Sequence, residues 1–319
     1  MTTTVRPLGG SYDPARTTGG GLAAELDRLE AQAALSFPEE LRILRELGLP
    51  GGTPDGGTAP RADSVPRSGT ALQADPAPQA DAAPRPGTVL ELGAGPGAVT
   101  RRLRAALPAG TTLIAADIDG DLLAHAAGPG VTLLVADGAD LPLPDACVDF
   151  VLLRYVLQHV PDPVAVLTEV RRVLRPGGTV ACTEVDSALW GAAEPSYPEL
   201  AGVHAKMAAA QRADGGDRSI GRRLPRLLRA AGFEQVVLRP FATTNDDHPT
   251  DAFAPQLGPQ RLEPLVARGL LSLADLALAA DRWNRFRSDP DAWVMLLGLT
   301  VAATAPAGRG PQETVREQH

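Results

Sequence analysis

The sequence predicts an α/β protein built on a doubly wound, mostly parallel sheet of seven strands, and three observations point there. From Thr88 onward, short and almost continuously apolar runs alternate with segments of helical periodicity, the pattern of parallel strands covered by helices on both faces. The first run, 88–92, leads straight into Gly93-Ala94-Gly95-Pro96-Gly97, after which Val99, Leu103 and Ala106 recur at helical spacing. Strand, tight turn and helix thus follow one another. Acidic residues then fall at strand ends, Asp117 after the second run and Asp137 after the third, on the edge where open α/β sheets bind ligands.

Residues 1–20, polar and glycine-rich, read as a flexible N-terminus. Leu22, Leu26, Leu29 and Ala33 share one helical face, and Leu41, Leu44 and Leu47 continue as a second helix opened by Pro38-Glu39-Glu40 and stopped by Gly48, so 21–49 is expected to hold two cap helices. Residues 50–87 break the periodicity. Between Gly51 and Pro86, Val65 and Leu72 are the only sizeable apolar side chains; such a segment cannot offset its ordering entropy and reads as a disordered linker.

The core, 88–242, is expected to place strands at 88–92, 111–117, 131–137, 148–153, 179–184 and 235–239, with helices over 119–127, 163–174, 204–212 and 221–231. Residues 243–290 hold two helical patterns, 259–268 and 272–287, read as an insertion that could close over ligands. A last core strand, 293–303, lies within 291–305, and 306–319 reads as a flexible tail.

Composition excludes some functions. The net charge is −8 and Lys206 is the only lysine among 319 residues, which argues against nucleic acid as a partner because phosphate contacts need clustered positive charge. No run of 18 apolar residues occurs, so no membrane span is expected. The two cysteines, Cys147 and Cys182, sit in no metal-binding or CxxC spacing; reduced thiols and a cytoplasmic location are the expectation.

The glycines alone leave the ligand open. Gly93-x-Gly95-x-x-Ala98 fits a dinucleotide fingerprint, Gly93-x-Gly95-x-Gly97 fits a loop for S-adenosylmethionine, and a ligand-free turn fits as well. Taken together, Val89 to Gly97, Ala116-Asp117-Ile118-Asp119, Ala136-Asp137-Gly138-Ala139-Asp140-Leu141-Pro142, Val148-Asp149-Phe150-Val151, Val156-Leu157-Gln158-His159-Val160 and Arg175-Pro176-Gly177-Gly178 resemble the successive signatures of small-molecule class I S-adenosylmethionine-dependent methyltransferases. The likeness runs from about residue 88 to 186 and implies a Rossmann-like fold.

The resemblance implies S-adenosyl-L-methionine as cofactor. By it, Glu91, Gly93, Ala94, Gly95 and Gly97 line the methionine end, Asp117 holds the ribose hydroxyls with Ile118 against the adenine, and Asp137 and Gly138 meet the adenine edge. Arg154 follows the fourth strand beneath the cofactor, and Gln32 is a further contact for the cofactor carboxylate.

Methyl transfer needs alignment more than covalent chemistry. Where the acceptor needs a base, His159, just beyond the fourth strand, and His204, in the region where acceptors bind, are the candidates. Tyr155, Glu184 and Asp186 lie near the expected acceptor, Asp149 ties the fourth strand to its neighbours, and no metal spacing is present. Trp283 and Phe286, at helical spacing, suit core packing or a pocket wall. The expected reaction is methyl transfer to a small-molecule or peptide natural product, at oxygen or nitrogen before carbon, in a pathway of secondary metabolism. An NAD(P)-dependent oxidoreductase and a catalytically silent cofactor-binding partner are the alternatives, and a homodimer is an open assembly.

Overall fold

The computed structural model describes Tyr12, residues 21–51 and residues 87–307. The linker expected over 50–87 and the two flexible ends lie almost wholly outside the described residues.

Five strands form the parallel part of the sheet: β1 (Thr88–Leu92), β2 (Thr112–Asp117), β3 (Val131–Val135), β4 (Val148–Arg154) and β5 (Leu174–Glu184). Three more, β6 (Gly191–Glu194), β7 (Glu234–Thr244) and β8 (Trp293–Thr304), complete it, and β8 runs antiparallel to β5, β6 and β7. The order is β3-β2-β1-β4-β5-β8-β6, with β7 on the opposite side of β8. The direction of the chain reverses in strand order between β1 and β4, which opens a crevice at their carboxyl ends.

One strand more than expected is present. The four residues Gly-Ala-Ala-Glu of β6 lack strand-forming side chains and pair only with the start of β8, a tertiary pairing that local preference does not announce.

Helices cover both faces. On one, α1 (Gly21–Glu46) and α2 (Ala98–Ala106) bury Phe37, Leu44, Val99 and Leu103 against Val89, Leu113 and Leu152. On the other, α4 (Pro163–Val173) and α6 (Leu224–Ala230) bury Leu167, Val170, Leu224 and Leu228 against Val151, Leu153 and Val180. The short α3 (Gly120–Leu123), capped by Asp119 accepting from Leu122 N–H at 2.9 Å, starts the return to β3.

The two expected cap helices are one. Helix α1 passes through Pro38 without a break, although proline inside a helix costs roughly 3 kcal/mol. Its buried neighbours Leu35, Ser36, Phe37, Glu40, Ile43 and Leu44 hold both halves in one line against the sheet and the inserted helices, and each large apolar side chain so buried stabilises by about 1.5–3 kcal/mol.

Between β5 and β7 lies α5 (Ala201–Ala213), and between β7 and β8 lie α7 (Ala254–Leu257), α8 (Glu263–Ala267) and α9 (Leu273–Ser288). Two small cores organise this layer, one joining it to the body and one joining its helices to each other. Phe253, Trp283 and Phe286 pack with Leu35 of α1 and Val294 of β8, and Val203 of α5 packs with Leu262, Leu271 and Ala279. Ser272 and Asp275 form a capping box that fixes the start of α9, satisfying two otherwise orphaned N–H groups.

Candidate functional site

A cavity of about 1690 Å³ lies over the carboxyl ends of β1, β2 and β4, walled by α1 and α5 and roofed by the inserted helices. The loop from β1 to α2 forms its floor. Gly93, Gly95 and Gly97 all have left-handed backbone, with φ of 77°, 52° and 80°, which only glycine adopts without strain. Their surroundings differ. A Cβ on Gly93 would lie 2.3 Å from Val156 Cγ2 and one on Gly97 would lie 2.6 Å from Ala126 Cα, whereas one on Gly95 would meet only Leu122, at 3.8 Å. Protein packing therefore requires the outer two glycines, and Gly95 faces open space on the cavity side together with Gly93 and Ala94. Gly97, set by sequence among the cofactor contacts, caps α2 behind the loop.

The three strand-end carboxylates project into this space. Glu91 is buried, its Oε2 has no hydrogen-bond partner, and its carboxyl is pushed up to about 8 by burial, with the Thr100 hydroxyl and then Arg154 opposing the rise and Asp117 and Glu40 adding to it. Asp117 Oδ2 accepts from Gly95 N–H at 2.8 Å and Oδ1 from Asp119 N–H at 3.0 Å; burial raises its pKa against those bonds. Ile118 beside it is exposed, an apolar lip on the cavity. Asp137 Oδ1 accepts from Ala139 N–H at 2.9 Å, and Gly138 sits against Leu92 and Val166. Behind this turn Arg172 donates to the carbonyls of Leu141 and Leu143 and to Asp145 and Glu169, clamping the loop onto α4.

Arg154 lies at the cavity wall but spends its hydrogen bonds on α1. Nε donates to Glu40 Oε2 and Nη2 to Ser36 Oγ, both at 2.7 Å, while its guanidinium lies 4.4 Å from the centre of the Tyr155 ring. Tyr155 holds φ of 57°, a left-handed conformation that costs a non-glycine residue about 1–2 kcal/mol. Gln32, one turn earlier on α1, lines the cavity and accepts from Arg28 Nη1 at 3.3 Å.

The candidate bases differ from a simple exposed histidine. His159 lies in the wall with its ring 5.3 Å from that of Tyr12; burial first, then the charges of Arg218 and Arg28, hold its pKa at about 3. At neutral pH it is a neutral, weakly basic imidazole. His204 on α5 opens onto the cavity, and burial with Arg218 and Arg261 lowers its pKa. Glu184 Oε1 accepts from Leu157 N–H at 2.6 Å, which fixes the turn carrying His159; its Oε2 has no partner and burial pushes the group up to about 8. Asp186 pairs with Arg222 and accepts from Ala188 N–H. Asp149 accepts from Thr88 N–H at 2.8 Å and from Arg175, tying β4 to β1 as the sequence suggested. Among the described residues no group of three or more His, Cys, Asp or Glu side chains is placed to hold a metal ion.

Sequence reasoning missed several wall residues. Tyr12 Oη donates to Glu25 Oε1 at 2.8 Å, and Arg28, Arg218 and Arg261 reach the same space from three separate segments. Nothing in their local sequence marks them, because long-range packing alone brings them together. Trp283 and Phe286 do both things foreseen for them, packing in a core and lining the cavity.

The donor set suits a nucleoside joined to a charged amino-acid end. An orphaned, buried carboxylate oxygen at Glu91 suits an ammonium, the open face of Gly95 admits a ligand against backbone, and the Asp117 carboxylate lines the same space. Residues 90–182 match the family model of the methyltransferase domain. The chain is 33% identical over 222 residues, 67% of its length and 62% of the relative's, to an uncharacterized 37.1 kDa protein in transposon Tn4556 of Streptomyces fradiae. It is 44% identical over 68 residues, 21% of its length and 27% of the relative's, to the ubiquinone/menaquinone biosynthesis C-methyltransferase UbiE of Acidiphilium cryptum. The chain thus spans less than two thirds of either relative. Among solved structures, a SAM-dependent methyltransferase from Aquifex aeolicus aligns over 73% of this chain and 93% of that one at 18% identity, with a TM-score of 0.45.

Proposed function

We propose, from the match of residues 90–182 to the methyltransferase-domain model, that the chain is a class I S-adenosylmethionine-dependent methyltransferase that transfers a methyl group to a small-molecule or peptide acceptor held in the cavity. The observation that carries the reading is the pairing, on one rim, of the Glu91 carboxyl, whose Oε2 has no hydrogen-bond partner, with the Gly95–Asp117 floor. S-adenosylmethionine, when bound, supplies a methyl group on an electrophilic sulfonium. Glu91 meets its ammonium, Asp117 its ribose hydroxyls, Ile118 and the Asp137–Gly138 turn its adenine, and Ala94 and Gly95 its amino-acid end. The match to the methyltransferase model supports this nucleoside over a nicotinamide dinucleotide.

The protein's part in the reaction is alignment and exclusion of water. Holding donor and acceptor in line can supply on the order of 7–11 kcal/mol, and the α5 wall with the inserted helices α8 and α9 limits solvent at the charge-losing step. Base strength favours oxygen or nitrogen acceptors over carbon. His159 is held at about 3 and Glu184 is tied to backbone, so neither suits removal of a proton from carbon; the far more acidic proton of a hydroxyl or an ammonium can pass to His204 on the cavity wall or to water. A cytoplasmic role in secondary metabolism belongs to the same proposal.

Calorimetric titration with S-adenosylhomocysteine tests it. Saturable binding that is lost in Asp117→Ala is the expected result; NADH binding with no S-adenosylhomocysteine binding would overturn it.

A further inference from the structure

The far wall of the cavity carries more positive charge than the protein neutralises. Arg28 of α1, Arg218 in the turn after α5 and Arg261 ahead of α8 all line it. Glu25 is matched to Arg28 by two bonds, Nε to Oε2 at 2.7 Å and Nη2 to Oε1 at 2.6 Å. Among the described residues neither Arg218 nor Arg261 has a carboxylate partner. Arg218 Nη1 donates to Gln211 Oε1 at 3.1 Å, and Arg261 Nη1 donates to the carbonyl of Gln256 at 2.9 Å. An arginine carries five N–H donors, so most of each fork is left to the cavity.

The nearby surface arginines behave differently. Arg222, Arg223, Arg268 and Arg282 each hold a carboxylate. Arg261 is pushed down to about 9 by burial and by the charges of Arg218 and Arg28, with only Glu25, already bonded to Arg28, opposing, and Arg218 is lowered by burial and Arg28. Desolvated like charges left without a counter-ion are strongly unfavourable. The Gln256 side-chain oxygen, on the residue that binds Arg261, is buried with no donor. The wall therefore presents two planar cationic forks and one orphaned acceptor, a set complementary to an oxyanion with a hydroxyl or amine near it.

Resting on the function proposed above, we propose that the methyl acceptor carries an oxyanion, carboxylate or phosphate, received by Arg218 and Arg261. Both arginines come from segments outside the β1–β5 half of the sheet, one between α5 and α6 and one in the inserted helices. Glu91, Asp117 and Asp137 sit at the ends of or just after β1, β2 and β3, so the cofactor and the oxyanion are assigned to different sides of one cavity.

The test uses the full chain saturated with S-adenosylhomocysteine, with inorganic phosphate and benzoate as separate calorimetric probes. Saturable binding of one probe is expected, and it names the oxyanion. Binding should weaken at least tenfold in Arg218→Gln/Arg261→Gln through the loss of charge-assisted hydrogen bonds, while S-adenosylhomocysteine affinity moves by less than about threefold. Absence of saturable binding by either probe overturns the proposal, as does equal binding by the double variant. A tenfold loss of S-adenosylhomocysteine affinity in that variant assigns the pair to the cofactor and also overturns it. Should the variant fail to fold, phenylglyoxal modification of the wild type, mapped by mass spectrometry, decides: protection of Arg218 and Arg261 by the probe supports the site and unprotected modification overturns it. Failure of S-adenosylhomocysteine to bind the wild type counts against the function instead, and the probes titrated into the unloaded chain still report on the arginines.

Discussion

Asp117 holds Gly95: its Oδ2 accepts the Gly95 N–H at 2.8 Å, while Oδ1 accepts from Asp119. The residue assigned to the ribose thus also fixes the loop that would meet the amino-acid end and caps the route into α3. Removing it leaves two partly buried N–H groups without an acceptor, at about 1–3 kcal/mol each. Asp117→Ala should therefore lower the melting temperature by several degrees as well as abolish S-adenosylhomocysteine binding. Asp117→Asn keeps one acceptor oxygen and should recover part of the stability with little of the affinity. A melting temperature unchanged in Asp117→Ala would show that the loop holds its shape without the carboxylate.

The glycine loop separates packing from ligand space. A Cβ at Gly93 would collide with Val156 Cγ2 at 2.3 Å in a left-handed conformation, so Gly93→Ala should destabilise by about 2–4 kcal/mol, a clash of overpacking added to backbone strain. Val156→Ala clears the clash but not the strain. The double variant should be less destabilised than the sum of the singles, by about 1 kcal/mol or more in a double-mutant cycle. Strict additivity by chemical denaturation would sink this account.

Much of the sheet was legible because buried parallel strands are apolar in near-continuous runs, and Phe150 to Leu153 or Val180 to Cys182 can be little else. Asp117 and Asp137 were legible for the same reason, since a charged residue closing such a run marks the strand's carboxyl end, while Glu91 stands out as a charge buried inside its strand. Where the sequence misled, long-range packing had won over a local signal. Pro38 reads as a helix start, yet Phe37 and Leu44 anchor one helix across it. β6 has no signal of its own and exists through β8. Tyr12 and the arginine wall were illegible because residues 12, 28, 218 and 261 share no periodicity. His159 was legible in place but not in character, since its weak basicity comes from burial and from Arg218 and Arg28.

Burial of Glu184 makes stability fall with rising pH. Its folded pKa of about 8 lies above the ordinary 4.5, so the native state binds the extra proton; its contribution is whole below pH 4.5 and is lost as pH climbs through about 8. Glu184→Gln keeps an oxygen for Leu157 N–H and removes the titration. The variant's melting temperature should gain on wild type by roughly 2–4 °C per kcal/mol released between pH 5.5 and pH 8. His159 acts at the other end, its folded pKa of about 3 lying below 6.5, so its contribution is lost as pH falls from 6.5 toward 3. A gap between Glu184→Gln and wild type that stays constant with pH would refute the assignment.

Glu91 should couple cofactor binding to proton release. In the free protein burial pushes it up to about 8, with Arg154, Asp117 and Glu40 as the charges that act on it, so at pH 6.5 its carboxyl is mostly protonated and its Oε2 has no hydrogen-bond partner. An ammonium arriving there favours the carboxylate and pulls that pKa down. Affinity for S-adenosylhomocysteine should then rise with pH up to about 8, by as much as about tenfold per unit, with up to one proton released per ligand when calorimetry is repeated in buffers of different ionisation enthalpy. In Glu91→Gln the affinity should be weaker and the slope flat. If the slope persisted in that variant, the proton would belong to another group, Asp117 first among them because burial raises its pKa too, and the assignment of the ammonium to Glu91 would fall.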